Sequence, residues 1–245
     1  MKRARSQTTV VSRGQTAPRD DALALLAGVA HDLRSPLTSI LYLVESLQGN
    51  QDRALSTLQR RQLALVYGAT YQLSMLVNDL TELAHDGRLS LLEREPVPFS
   101  LSAVVGSVYD VVRPVAEERG IPLRLESTVA DRRLGHPAAL TRVLLNLVSN
   151  ALRVTVKGYV KIRLAARAAE RVVFSVIDTG PGITPDAMAT LFDPFPNASW
   201  RGISSSGLGL AICRSLVQAM GGELTVKSRV GVGAAFQFAI PLPIA

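Results

Sequence analysis

Two interlocking heptad ladders constrain this chain more than any other feature of its sequence. Leu23, Ala30, Leu37 and Val44 recur at a seven-residue interval, and Leu26, Leu33, Ile40 and Leu47 repeat it three positions further on. That is the a/d spacing of a coiled-coil seam, so it predicts a helix from a cap at Asp20 or Asp21 to Gly49 and Asn50 that needs a partner along its whole length. A second apolar stripe, from Leu55 and Leu58 through Leu65, Ala69 and Leu73 to Leu83, predicts a returning helix over about 52–85. One hairpin buries only part of two such stripes. Two copies packed about a two-fold axis bury them all as a four-helix bundle, and a homodimer is expected. The alternative, a packing helix inside a larger helical domain, is weakened because the sequence that follows does not continue the helical pattern.

His31 follows the ladder residue Ala30, so its ring is expected on the flank of the seam, beside the core but reachable. Asp32 stands next to it, and Pro36 removes a backbone donor shortly afterwards, which should make the helix bendable there. A lone helical histidine is more often a surface or packing residue, and only sequence far downstream changes that reading.

At 245 residues and 47% apolar, the chain is long enough for two domains with a real core. No apolar run approaches the roughly 18–20 residues of a membrane span, and the basic N-terminus lacks a signal-peptide core, so a cytoplasmic protein is expected. Much of the formal net charge of +7 sits in Lys2, Arg3, Arg5, Arg13 and Arg19, in a tail over 1–19 expected to be disordered. Aromatic residues make up only 5% and no basic stripe interleaves with them, which argues against nucleic acid as a partner. Cys213 falls in an apolar helical pattern and reads as a buried, inert thiol.

Glu93, Arg94, Glu95, Pro96, Val97 and Pro98 break the helical pattern, so a linker is expected over 93–99, between a hairpin domain at 20–92 and a second domain at 100–245. In the second domain Ser100 caps a predicted helix to about Arg119, ended by Gly120, and Pro137 opens another to about Arg153. Further helices are predicted near 185–192 and 208–220, with strands at 123–127, 159–165, 171–177, 223–228 and 234–240. This alternation predicts a mixed sheet covered by helices on one face, an α/β sandwich, and makes the whole chain an α+β multidomain protein.

Three short motifs in this domain bear on chemistry. Asn146 and Asn150 share one face of a helix, and a neutral oxygen donor suits a Mg²⁺ ion satisfied mostly by water and phosphate. Asp178 ends an apolar strand and is followed by Gly180, Gly182 and Ile183; the carboxylate can accept from an amine such as adenine N6, while the glycines let backbone approach a flat ring. Gly207, Leu208 and Gly209 open a helix, where free amides attract phosphate. Each alone is as well read as a surface pair, an ordinary turn or an unremarkable Gly-x-Gly.

Taken in order behind the His31 hairpin, these stretches resemble the catalytic core of bacterial sensor histidine kinases. The resemblance covers about 26–241 and rests on AHDLRSPLTSI, NLVSNAL, DTGPGI, LFDPF and GLGLAI. It implies a Bergerat-type ATP-binding fold, shared with Hsp90-type chaperones, type II topoisomerases and MutL-type repair proteins, behind a dimeric phosphotransfer hairpin. It further implies that His31 takes the γ-phosphoryl group of ATP and passes it to an aspartate on a response regulator receiver domain, with Asp32 holding or deprotonating the ring's Nδ1. Ser35 stands where relatives often carry a threonine involved in removing phosphate from the regulator. Asn150 matches the Mg²⁺ ligand, with Asn146 in support and Arg153 at the usual basic position. Asp178 matches the adenine-reading carboxylate, Gly180, Gly182 and Ile183 shape the pocket, Gly207, Leu208 and Gly209 end the lid, and Arg201 in the lid reaches towards the γ-phosphate. Val154 replaces an aromatic residue near the adenine, His136 replaces an acidic residue, and the lid over 196–206 is short and serine-rich. With only about twenty residues before the hairpin, input is expected through a separate sensor protein or a longer chain. The competing readings are an ATP-hydrolysing relative and a non-catalytic scaffold.

Overall fold

The computed structural model describes residues 95–167, 170–193 and 209–245, together with selected positions between 33 and 92. In the first part, 37–44 is helical and the two heptad ladders part company. Leu37 and Val44 are buried, Leu37 in one cluster with Val77 of the returning stripe, while Leu33, Ile40 and Leu47 remain 41%, 40% and 38% exposed. Among the described positions, one ladder therefore packs inward and the other is exposed. Leu58 and Leu73 of the returning stripe are also exposed.

The second part runs β1 (Val97–Ser100), α1 (Leu101–Glu118), β2 (Leu123–Ser127), β3 (Arg132–Gly135), α2 (Pro137–Val154), β4 (Val160–Arg167), β5 (Arg171–Asp178), α3 (Pro185–Ala189), α4 (Gly209–Ala219), β6 (Glu223–Arg229) and β7 (Gly233–Pro241). The main sheet has the order β2-β4-β5-β7-β6, with β2 parallel to β4 and every other pair antiparallel. This is the mixed sheet the alternation predicts. The helix α2 is its central support, packed between α1 and α4 and laid across β4 and β5. Its Val143, Leu144 and Val148 are fully buried, as are Phe174 of β5 and Phe238 of β7, whose rings stack with centroids 4.9 Å apart. Cys213 is buried, as its apolar surroundings predict.

Local chemistry fixes the element ends. Ser100 Oγ accepts from the Ala103 amide, and Asp131 accepts from the Ser102 amide at 2.7 Å, so two of the orphan donors at the start of α1 are satisfied. Hydrogen bonds to Asp131, from the Ser102 amide first and then from the Ser102 and Ser100 hydroxyls, hold its carboxyl below its usual pKa. At the other end Gly120 adopts φ 65° and lets the Ile121 amide reach back to Ala116.

Two short strands differ from the sequence expectation. Val97–Ser100, in a stretch read largely as linker, pairs antiparallel with Arg132–Gly135, where no strand is predicted. Each is four residues long and carries too few apolar positions to register as alternation. The pair is instead closed by the C-terminal segment: the Leu134 amide donates to Pro243, and the buried Arg133 guanidinium donates to the Leu242 carbonyl. The helix expected over 185–192 is shorter, ending at Ala189.

Because Phe174 lies under α2 at the centre of this core, Phe174→Ala is expected to lower stability by about 3–5 kcal/mol in urea unfolding of the full chain.

Candidate functional site

The site forms where the end of α2, the end of β5 and the start of α4 converge around a cavity of about 310 Å³. Strand periodicity supplies its floor. Val172, Phe174 and Val176 point inward from β5, and the same alternation carries Asp178 into the buried layer, where it is 5% exposed. One carboxylate oxygen, Oδ1, accepts from the Gly180 amide at 2.8 Å and from the Ala234 amide at 3.3 Å. The second oxygen has no hydrogen bond within the described residues. Burial raises the Asp178 pKa, and the two amides only partly offset it.

Around this free acceptor the walls are apolar, formed by Ala151, Val154, Ile183, Leu210 and Phe236. A flat heteroaromatic ring carrying an exocyclic amine matches both features: the amine donates to Asp178 and the ring faces rest on aliphatic carbon. The glycines are needed for space. A Cβ on Gly180 would lie 2.9 Å from the Asp178 carboxylate and 3.1 Å from Val154, and Gly182 adopts φ 73° against the Arg229 carbonyl.

Towards the mouth, α2 presents Asn146, Asn150 and Arg153 at helical spacing. Asn150 Oδ1 accepts from the Arg153 guanidinium at 2.9 Å. Burial lowers the Arg153 pKa, but an arginine so perturbed still carries its charge. Asn146 Nδ2 and Arg153 Nε are buried without a partner. A Cβ on Gly209, in the first described turn of α4, would lie 3.6 Å from Asn146, so this end of the helix packs beside the asparagine. Two orphaned donors, one cationic, beside a helix N-terminus are suited to phosphate oxygens. Among the described residues no group of three or more His, Cys, Asp or Glu could cage a metal. A Mg²⁺ ion fits only in the manner typical of nucleotide sites, held by phosphate and water oxygens with Asn150 Oδ1 as a neutral protein donor.

Of the expected site residues, Asn150, Asp178, Gly182 and Ile183 line the cavity, while Arg153 bonds Asn150, Gly180 bonds Asp178, and Asn146 and Gly209 stand beside one another on the adjoining helices. His31, Asp32, Ser35, Pro36, Arg201, Gly207 and Leu208 lie outside the described residues. Three contributors escape the sequence reading. Arg119 donates to the Leu152 and Arg153 carbonyls at 2.8 and 3.1 Å, capping α2 with positive charge. Thr179 Oγ accepts from the Tyr159 amide at 2.8 Å and ties the segment after α2 to the Asp178 loop. The Ala234 amide reaches Asp178 from the neighbouring strand. None of these has a local motif, because each depends on which strands and helices become neighbours.

Comparison with known proteins gives two family matches. Residues 22–88 match the family described as His Kinase A (phospho-acceptor) domain, and residues 135–244 match that described as histidine kinase-, DNA gyrase B-, and HSP90-like ATPase. Sensor histidine kinase AruS of Pseudomonas aeruginosa is 34% identical over 256 residues, covering all of this chain and 24% of AruS. Sensor protein TorS of Escherichia coli is 33% identical, covering 91% of this chain and 24% of TorS. The chain spans about a quarter of the length of these curated relatives. Among solved structures, full-length ShkA in complex with AMPPNP matches with a TM-score of 0.64 at 32% identity, over 91% of this chain and 46% of ShkA. The nucleotide-free catalytic domain of histidine kinase ThkA matches with a TM-score of 0.53 at 29% identity, over 60% of this chain and 96% of that domain.

Asp178 separates stability from binding. Its raised native pKa means that the folded state holds a proton more tightly than the unfolded chain does. Stability therefore rises as pH falls through the window from the raised value down to the ordinary aspartate range, and ionisation at neutral pH costs stability. In Asp178→Asn the amide oxygen can still accept from Gly180 and Ala234 without a buried charge. Its thermal midpoint at pH 7 is expected to match or exceed wild type, while calorimetric titration shows adenine-nucleotide affinity falling by tenfold or more.

Proposed function

Because the chain belongs to the bacterial sensor histidine kinases, joining a His Kinase A domain to a histidine kinase-type ATPase domain, we propose that it autophosphorylates on His31 and passes the phosphoryl group to an aspartate of a response regulator receiver domain. The observation that carries this reading is the cavity itself: a buried carboxylate with one free oxygen at its floor, and unpartnered Asn146 and Arg153 donors at its mouth. Adenine is read by Asp178, and the phosphates meet Asn146, Arg153 and the start of α4. A Mg²⁺ ion, held by Asn150 and the phosphates, would neutralise charge on the transferring group. In the transfer, the His31 Nε2 lone pair forms the N–P bond as the bond from the γ-phosphorus to the bridging oxygen breaks, and ADP leaves. Asp32 keeps the proton on Nδ1 and so presents the unprotonated nitrogen to phosphorus. Ser35 bears on phosphatase output, and Arg201, Gly207 and Leu208 belong to the lid.

The domain reading is 20–92 for the phosphotransfer hairpin, with the ATP-binding unit beginning at β1, since β1 pairs with β3. The homodimer is supported by the outward ladder Leu33, Ile40 and Leu47, whose exposure in a single chain a second hairpin would remove. No helix among the described residues is long and apolar enough to cross a membrane. A cytoplasmic location for this part of the protein agrees with that.

Incubation with γ-³²P-ATP is expected to give an acid-labile, base-stable label on wild type and none on His31→Gln. An acid-stable label, or label retained in His31→Gln, would overturn the reading. Ile40→Glu places a charge on the outward ladder and is expected to convert dimer to monomer in size-exclusion light scattering, with nucleotide affinity within about twofold of wild type because the cavity lies wholly in the other domain.

A further inference from the structure

The end of β5 and the loop that follows it are tied at three points to β6, β7 and the turn between them. The Ala234 amide donates to Asp178, the Gly231 amide donates to the Pro181 carbonyl at 2.7 Å, and the Ile183 amide donates to Ser228 Oγ at 2.8 Å. Ser228 in turn donates its hydroxyl proton to the Gly233 carbonyl at 2.9 Å, so the hydroxyl is used in both directions. The approach is close throughout: a Cβ on Gly233, at φ 135°, would run into the Asp178 carbonyl, and one on Gly182 into the Arg229 carbonyl.

These three ties differ in what holds them. Asp178 ends a strand paired on both sides, by β4 and β7, so its place is fixed by the sheet. Ile183 lies beyond any strand, and the Ser228 hydroxyl is the partner of its amide. Ile183 is 9% exposed and its side chain forms part of the cavity wall and of the core. The turn itself is otherwise lightly held, with Val230 and Val232 57% and 58% exposed.

We infer that Ser228 is a positioning residue for the nucleotide pocket, acting through Ile183. By fixing the Ile183 amide relative to β6 and β7, its hydroxyl sets how far the apolar wall stands from the free oxygen of Asp178, and hence the width of the slot that receives the purine. Ser228 touches neither the reacting atoms nor the mouth of the cavity. It governs affinity for the base and leaves the transfer step alone. The inference rests on the cavity being the ATP site.

The test uses the full chain in wild-type, Ser228→Ala and Ser228→Thr forms. ADP affinity is measured by isothermal titration calorimetry, thermal midpoint without nucleotide by scanning calorimetry, and autophosphorylation rate across ATP concentrations. Ser228→Ala leaves the Ile183 amide without its acceptor, and ADP is expected to bind about tenfold more weakly. KM for ATP is expected to rise by a similar factor with kcat unchanged, and Ser228→Thr, which keeps the hydroxyl, to bind within about threefold of wild type. Ser228→Ala binding ADP within twofold of wild type, or losing kcat at unchanged KM, would overturn the inference. So would weak binding in both variants, which assigns the effect to packing. Failure of the wild-type chain to bind ADP would instead overturn the ATP-site reading.

Discussion

The placement of Asp178 is the constraint on which the rest of the second domain depends. A carboxylate is kept in a buried layer by two backbone amides that arrive from different directions, Gly180 from its own loop and Ala234 from the neighbouring strand. The second bond requires the registers of β5 and β7 to be as they are, with Asp178 opposite Ala234. A one-residue slip would turn the carboxylate to the other face and remove it from the cavity. The stacked Phe174 and Phe238 rings, also directly opposite one another, hold the same register from the middle of the strands. Core packing and ligand recognition are therefore set by one strand pairing.

The mouth of the cavity has a different logic. Asn150 offers an oxygen for a cation but already accepts from Arg153, while Asn146 holds its amide donor unspent. Unsatisfied buried donors cost free energy, and phosphate oxygens would satisfy them. On the proposed reading, Arg153 would exchange the Asn150 carbonyl for a phosphate, and the Asn150 oxygen would then be available to a Mg²⁺ ion. Arg119 holds the backbone beneath this exchange by bonding the Leu152 and Arg153 carbonyls, so the side chain can move while the helix end stays.

Much of this was legible in the sequence wherever the determinant is local. Period-two apolar runs announced β4, β5, β6 and β7, the Asn146 and Asn150 spacing put both on one helix face, and the Asp178-to-Ile183 stretch showed a carboxylate at a strand end followed by glycines that only a close approach requires. What escaped was the work of distant partners. β1 and β3 are too short to carry a period and exist because the C-terminal segment closes over them. Ser228 looks like any strand serine until the end of β6 is folded against Ile183. Arg119 looks like any arginine at the C-cap of a helix.

The two halves also solve the burial problem differently, and this has a consequence for how activity scales. The second domain closes its own core, with α2 enclosed by helices and sheet. The described part of the hairpin buries Leu37, Val44 and Val77 but leaves Leu33, Ile40 and Leu47 exposed, a surface that the proposed second copy would complete. A surface completed by association ties stability to protomer concentration, whereas a surface completed within the chain does not. Nucleotide binding should then be a property of each chain alone. On the proposed reading, transfer at His31, two positions before the exposed ladder residue Leu33 in sequence, should depend on assembly, so that loss of the dimer would disarm transfer without emptying the ATP site.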